Sequence, residues 1–272
     1  MGRPPARTAR LIVAGITLVA LLPLACAPAP PAASGSITVY AATSLVDVFE
    51  EIGSRFEATH PGTAVSFNFE ASATLAAQIN DGAAADVFAP ASESAMAAVA
   101  DTGRVAGSRQ FASNSLVIAT PVGSEMIETM ADLAGPGVRI VLASNDVAAG
   151  QYARQAIRRA AASGSMGSDF EQQVLANVVA EEQSTQAVLA AAQDGHADAV
   201  IVYVTDALAA GETIRSLPIP EEFNLVARYP IGVVAGSVSG SLANAFTDFV
   251  LSAEGQAILA SHGFGPPVAA SP

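Results

Sequence analysis

Two short runs put hydroxyl side chains where a strand gives way to a helix. Ile37-Thr38-Val39-Tyr40-Ala41-Ala42 is β-branched and aromatic, and Thr43-Ser44 follow it before Leu45 opens an amphipathic stretch. Val65-Ser66-Phe67-Asn68-Phe69-Glu70 is followed in the same way by Ala71-Ser72-Ala73-Thr74-Leu75. The first turn of a helix carries N–H groups with no intrahelical acceptor, and hydroxyls beside them add further donors. Such a turn holds an anion by neutral dipoles. Each serine also has a structural reading: Ser44 with Asp47 fits a capping box, and Ser72 fits a plain N-cap.

The residues that would make an enzyme are sparse. All 12 basic residues are Arg, which excludes a phosphate loop with its Lys and any Schiff-base chemistry. A single Cys, Cys26, excludes a CxxC metal or redox pair. His60, His196 and His262 are far apart, so a zinc site or a Ser-His-Asp triad would need long-range convergence, and no G-x-S-x-G elbow is present. Acidic pairs such as Glu50-Glu51 and Glu221-Glu222 read as solvated surface. The net charge of −13 argues against nucleic acid and against docking on an anionic membrane. It does not argue against an anion held at one focused point, because net charge governs steering and solubility rather than the local field.

The start of the chain reads as a targeting segment. Arg3, Arg7 and Arg10 precede an apolar run from Leu11 to Leu22 that is short for a membrane span, which predicts a signal peptide over 1–25. Leu24-Ala25-Cys26 predicts lipidation of Cys26, although Pro23 stands where a lipoprotein signal usually has Leu. Residues 26–36, rich in Pro and Ala, then form a tether. With no disulfide available, burial must fold the rest, and 51% hydrophobic residues are enough to build a core.

Strands and helices alternate beyond the tether. Strands are expected at 38–42, 65–69, 86–89, 116–119, 138–142, 199–204 and 231–235. Helices are expected from Leu45 (Leu45, Val48, Phe49, Ile52, Phe56 on one face), at 74–80, after Pro90, at 151–162 and 170–176, from Ser184/Thr185 to Gln193, and at 242–251 and 255–261. This pattern predicts an α/β fold with mostly parallel sheets, in which ligands bind at the carboxyl ends of strands. The hydroxyl-rich turns all follow strands, so they would meet along one edge.

Six runs occur in order: Ile-Thr-Val-Tyr-Ala-Ala-Thr-Ser-Leu (37–45), Ser-Ala-Thr-Leu-Ala-Ala-Gln-Ile (72–79), Ala-Asp-Val-Phe-Ala-Pro-Ala (85–91), Asn-Ser-Leu-Val-Ile-Ala (114–119), Ala-Ala-Gly-Gln-Tyr-Ala (148–153) and Ile-Val-Tyr-Val-Thr-Asp-Ala (201–207). Together they resemble the molybdate-binding protein (ModA) family, solute receptors of ABC importers, over about 37–267. The resemblance implies a two-lobe periplasmic-binding-protein fold of type II. Lobe 1 would be 36–117 with 231–267, lobe 2 would be 118–230, and 268–272 would be a tail. It implies a non-enzymatic, extracytoplasmic, lipid-anchored monomer with no cofactor and no metal cation. That receptor would pass molybdate or tungstate to a permease and its ATPase subunit. Five oxyanion contacts carry over: Ser44 and Ser72 through hydroxyl and backbone N–H, Ala91 and Thr185 through backbone N–H, and Tyr203 through its phenol. Ala91 and Thr185 enter only by this resemblance, and Ser184 is equivalent to Thr185 at this stage. By itself Tyr203 reads as a core tyrosine. Glu70 departs from the family's small residue and would repel a dianion if it faced the cleft.

The donor set has a physical consequence. A fully deprotonated tetrahedral dianion presents only acceptors, whereas hydrogen phosphate keeps a proton that a donor-only site leaves unsatisfied. The rivals are a receptor of the same fold for sulfate, phosphate or an organic anion (with Arg154 or Arg228 in the cleft), a serine hydrolase using Ser44 or Ser72, and an adhesion lipoprotein.

Overall fold

The computed structural model describes residues 1–2 and 35–268. All but the first two residues of the expected signal peptide, Cys26 and nearly all of the tether lie outside the described residues. Gly35 and Ser36, assigned to the tether, instead begin the first strand, β1 (Gly35–Ala42), and pair with Thr63 and Ala64.

The elements then follow as α1 (Val46–Thr59), β2 (Thr63–Glu70), α2 (Ser72–Asn80), β3 (Val87–Ala89), α3 (Glu93–Ala100) and β4 (Val105–Pro121). After these come β5 (Ile140–Ala143), α4 (Ala148–Ala162), α5 (Phe170–Ala176), β6 (Val178–Glu182), α6 (Thr185–Gln193), β7 (Ala199–Tyr203) and α7 (Val204–Ala209). The remainder is β8 (Ile214–Pro218), β9 (Val226–Val234), α8 (Gly240–Leu251) and α9 (Ala253–Ser261). Among the described residues no helix is long and apolar enough to cross a membrane.

The strands line up as β2-β1-β3-β9-β4-β7-β5-β6, with β8 also on β4. Two halves share β4. Its first part, to Ser115, pairs with β9 in one half, and from Leu116 it pairs with β7 and β8 in the other. The pairing is mixed. β1 is parallel to β2 and β3, and β5 to β6 and β7, whereas the strands that link the halves, β4 and β9, pair antiparallel with their neighbours. A strand that crosses to the other half and one that returns must run in opposite directions.

Each half is a sheet with helices on both faces, and the period-2 alternation of its strands shows why. In the first half Ile37, Val39 and Ala41 face one core with α1 and α8, while Tyr40 and Phe88 face another with α2 and α3. In the second half Ile140, Leu142, Ala199 and Ile201 face α4 and α5, while Val141, Ala143, Val200 and Val202 face α6 and α7. The first core is aromatic: Phe49 stacks on Phe111 at 5.6 Å, and Tyr229 lies edge-on to Phe111 at 6.2 Å and to Phe264 at 5.4 Å. Truncating such a ring, as in Phe56→Ala, costs about 3–5 kcal/mol.

At the crossing, Asn224 pairs with β4 through its side chain. Its Oδ1 accepts the Leu116 N–H at 3.2 Å and its Nδ2 donates to the Leu116 carbonyl at 2.8 Å. One glycine is required by close approach. A Cβ at Gly150 would lie 2.2 Å from the carbonyl oxygens of Ala143 and Ser144, so α4 can start this tightly over β5 only with glycine there.

Candidate functional site

β2, β1 and β3 are adjacent and parallel, with Ala42 opposite Glu70 and Ala41 opposite Ala89. Their carboxyl ends therefore deliver Ser44, Ser72 and Ala91 to one edge. Buried Ala41, Ala42 and Leu45 anchor the short 3-10 turn Thr43–Leu45, leaving Thr43 and Ser44 exposed. Ser44 does not cap: α1 has Leu45 at its N-cap with no side-chain bond, so the capping box with Asp47 does not form. Its side chain neighbours the Tyr229 phenol instead. Ser72 does not cap either. Ala71 holds the N-cap of α2 without a side-chain bond, and Ser72 Oγ accepts the Ala91 N–H at 3.0 Å. Ser92, one residue on, caps α3 by accepting the Ala95 N–H at 3.3 Å.

The second half contributes Thr185 and Tyr203. Ser184 and Thr185, equivalent in the sequence, have distinct roles. Ser184 is the N-cap of α6 and accepts the Ala187 N–H at 3.2 Å, whereas Thr185 is the first helical residue. The Thr185 hydroxyl is bonded to Asp206, so the group it can still present is its backbone N–H. Tyr203 ends β7 and packs against the cores of both halves, so it is more than an interior residue of one strand. Burial, then the charges of Tyr229, Tyr152 and Asp206, push its phenol far above the ordinary range, so it remains a proton donor.

Asp206 organises this side. It takes the Tyr203 N–H at 3.3 Å and the Thr185 hydroxyl. Burial raises its carboxyl above the usual carboxylate value, and these two donors act in the opposite direction. The structure thus groups Ser72 with Ala91, Thr185 with Tyr203 through Asp206, and Ser44 with Tyr229. Sequence reasoning gave no role to Asp206, Tyr229, Asn114 or Tyr152. Asp206 had a signal, standing three residues after Tyr203 as the acid of a helix start does. Tyr229 had none, lying in an apolar run 185 positions from Ser44.

A cavity of about 740 Å³ lies between the halves, lined by Thr43, Ser44, Asp47, Gln186, Thr205 and Asp206 among others. Of the five expected contacts Ser44 alone lines it, so it opens on the Ser44 side of the group. No Arg lines it. Arg154 donates to the Ala143 and Gly150 carbonyls and pairs with Glu181, and Arg228 pairs with Glu93 at 3.5 Å. Glu70 is exposed at the end of β2. His60 bonds Phe56 and Thr59, His262 lines the same cavity as Ser44 and is bonded to Glu51 at 2.8 Å, and His196 is exposed after α6.

Residues 37–265 match the family model of bacterial extracellular solute-binding proteins. The molybdate-binding protein ModA of Mycobacterium tuberculosis is 36% identical over 260 residues, covering 94% of this chain and 95% of that one. Among solved structures, the substrate-binding domain assigned to a molybdenum ABC transporter of Clostridium difficile aligns with a TM-score of 0.77 at 24% identity, covering 87% of this chain and all of that one. The sulfate-binding protein SubI of M. tuberculosis aligns with a TM-score of 0.71 at 23% identity, covering 85% and 87%. At these identities the structures establish the fold: two α/β lobes of the type II periplasmic-binding-protein kind. The chain belongs to the bacterial extracellular solute-binding protein family, which includes ModA and whose members are receptors of ABC importers rather than enzymes.

Proposed function

We propose that this protein captures molybdate, and tungstate comparably, in the cleft between its lobes and delivers it to an ABC permease driven by its ATPase subunit. The observation that carries the reading is the 36% identity to a molybdate-binding protein over 94% of the chain. The site adds a physical reason. Ser44, Ser72, Thr185 and Tyr203 supply hydroxyl and backbone donors, with the Ala91 N–H behind Ser72. The groups that could have served an organic carboxylate, Arg154 and Arg228, pair with Glu181 and Glu93. Charge-assisted bonds from neutral donors hold a desolvated dianion without a counter-ion. Contacts from both lobes would let the anion favour the closed form.

The protein would work outside the cytoplasm as a monomer anchored through an acylated Cys26; mass spectrometry of the mature N-terminus tests the anchor. The ligand is tested by thermal shift. Molybdate and tungstate should raise the melting temperature, and no shift with either would sink the proposal. Tyr203→Phe removes one charge-assisted bond and should weaken binding by about 1–3 kcal/mol; unchanged affinity would remove Tyr203 from the site.

A further inference from the structure

The first turn of α7 meets the strand that crosses between the lobes, and two groups from the first lobe grip it. Asn114 stands in β4 just before the strand changes lobes and is 3% exposed. Its Oδ1 accepts the Ser115 N–H at 3.0 Å, which fixes the amide with its NH₂ group at the other end. That Nδ2 donates to Thr205 Oγ1 at 2.9 Å. An NH₂ group donates and never accepts, so the threonine oxygen is the acceptor.

The second grip is the turn that ends α9. Gly263 has a φ of +85°, a left-handed conformation that suits glycine. A Cβ there would lie 3.1 Å from Leu208 Cδ2, 3.5 Å from Thr205 Cα and 3.6 Å from Val204 Cγ1, so the Gly263 backbone is seated directly on α7. Two residues on, the Ser113 N–H donates to the Gly265 carbonyl at 2.9 Å and the Gly265 N–H donates to the Ser113 carbonyl at 2.8 Å. Ser113 precedes Asn114, so the two grips are bound to each other.

What they hold is short and carries Tyr203. The helix spans only six residues, Val204–Ala209, and Thr205 lies two residues after Tyr203. Asp206 ties the helix back to Tyr203 by accepting its N–H at 3.3 Å. A shift of α7 therefore moves the phenol, and a hydrogen bond weakens steeply as its donor leaves the line of the acceptor.

We propose that Asn114, acting through Thr205, is a positioning residue that fixes the Tyr203 phenol at the cleft, with Gly263 as a second support. Asn114 never touches the anion. This inference rests on the reading of the cleft as an oxyanion site with Tyr203 among its donors. It differs from a purely structural role for a buried asparagine, since its effect on affinity must pass through one hydroxyl, that of Tyr203.

The test is a double-mutant cycle by titration calorimetry with sodium molybdate on wild type, Thr205→Val, Tyr203→Phe and the double variant. Thr205→Val keeps the side-chain shape and removes the acceptor. It should weaken molybdate about three- to tenfold, the scale of one hydrogen bond. In the Tyr203→Phe background it should change nothing further. Thr205→Ser, which restores the acceptor oxygen, should bind within about twofold of wild type. Additive losses, full affinity in Thr205→Val, or a serine variant as weak as the valine one would overturn the positioning role while leaving the molybdate reading intact. A wild type that binds no molybdate overturns that reading and the positioning role with it. If Thr205→Val does not fold, Thr205→Ala takes its place in the same cycle and must show the same dependence on Tyr203.

Discussion

The Ser44 and Ser72 turns begin from one sequence pattern and are wired differently. Both follow parallel strands, and both lie at the start of helices they do not cap. The Ser72 oxygen accepts a backbone amide, Ala91 N–H, fixed by the chain whatever side chain stands there. The polar neighbour of Ser44 is instead a side chain, the buried Tyr229 phenol of β9, one of the strands that link the lobes. One serine is thus placed by a local, backbone device and the other by a long-range, side-chain one. The local device is insensitive to most substitutions. The long-range one ties recognition to the strand that links the lobes.

The largest expected difference between the turns lies in Ser44→Ala against Ser72→Ala. Each should weaken molybdate by about 1–3 kcal/mol. Ser44→Ala also removes the polar neighbour of the buried Tyr229 phenol, adding a stability loss of about 1–3 kcal/mol. Ser72→Ala exposes an amide that water can reach, since Ala91 is partly exposed, and its denaturation midpoint should stay close to wild type. Equal stability losses in the two variants would erase the distinction.

Next in size is Ala91→Pro, which deletes the amide behind Ser72. Affinity should fall by roughly one hydrogen bond, about 0.5–1.5 kcal/mol, with the melting temperature as the check on folding. Ala91→Val, which keeps the amide, should bind as wild type. If valine weakens binding as much as proline, the backbone device is not what matters.

Asp206, on the opposite lobe, gives a pH signature. Its carboxyl is raised above the ordinary 3.8 by burial, so in the window just above that value the folded state holds the extra proton. Stability linked to this group therefore falls as pH rises through the window and levels off above the raised value. The melting temperature of wild type relative to Asp206→Asn should fall over the same range. A difference that rises with pH would show a carboxylate stabilised as an anion instead. The smallest effect is expected from Glu70→Gln, where an exposed charge on the Ser72 side should change affinity by less than about twofold. A tenfold gain would place Glu70 against the ligand.

Legibility in the sequence followed the strength of the local signal. The strand-to-helix turns at 37–45 and 65–75 showed their period change and hydroxyls openly, and most helices showed an apolar face. The first part of β4 did not, because Ala106 to Arg109 are exposed, with Gly107 at a break in the register with β9. β6 is an outer strand with Val179, Ala180 and Glu181 exposed, so its charges read as solvated surface, and β8 pairs only with β4. At the candidate site, residue types were readable but their partners were not. Nothing near Ser72 announces the Ala91 amide, and nothing near Ser44 announces Tyr229. Those contacts depend on strand order and on the register of β9 with β4, which no local pattern encodes.

The most direct measurement is titration calorimetry of the purified protein with molybdate, tungstate, sulfate and phosphate in one buffer at neutral pH. Saturable binding of molybdate and tungstate at one site, with phosphate rejected, is the result expected of a cleft that offers the anion only donors. Binding of phosphate as tight as that of molybdate, or no binding of molybdate at all, would contradict it.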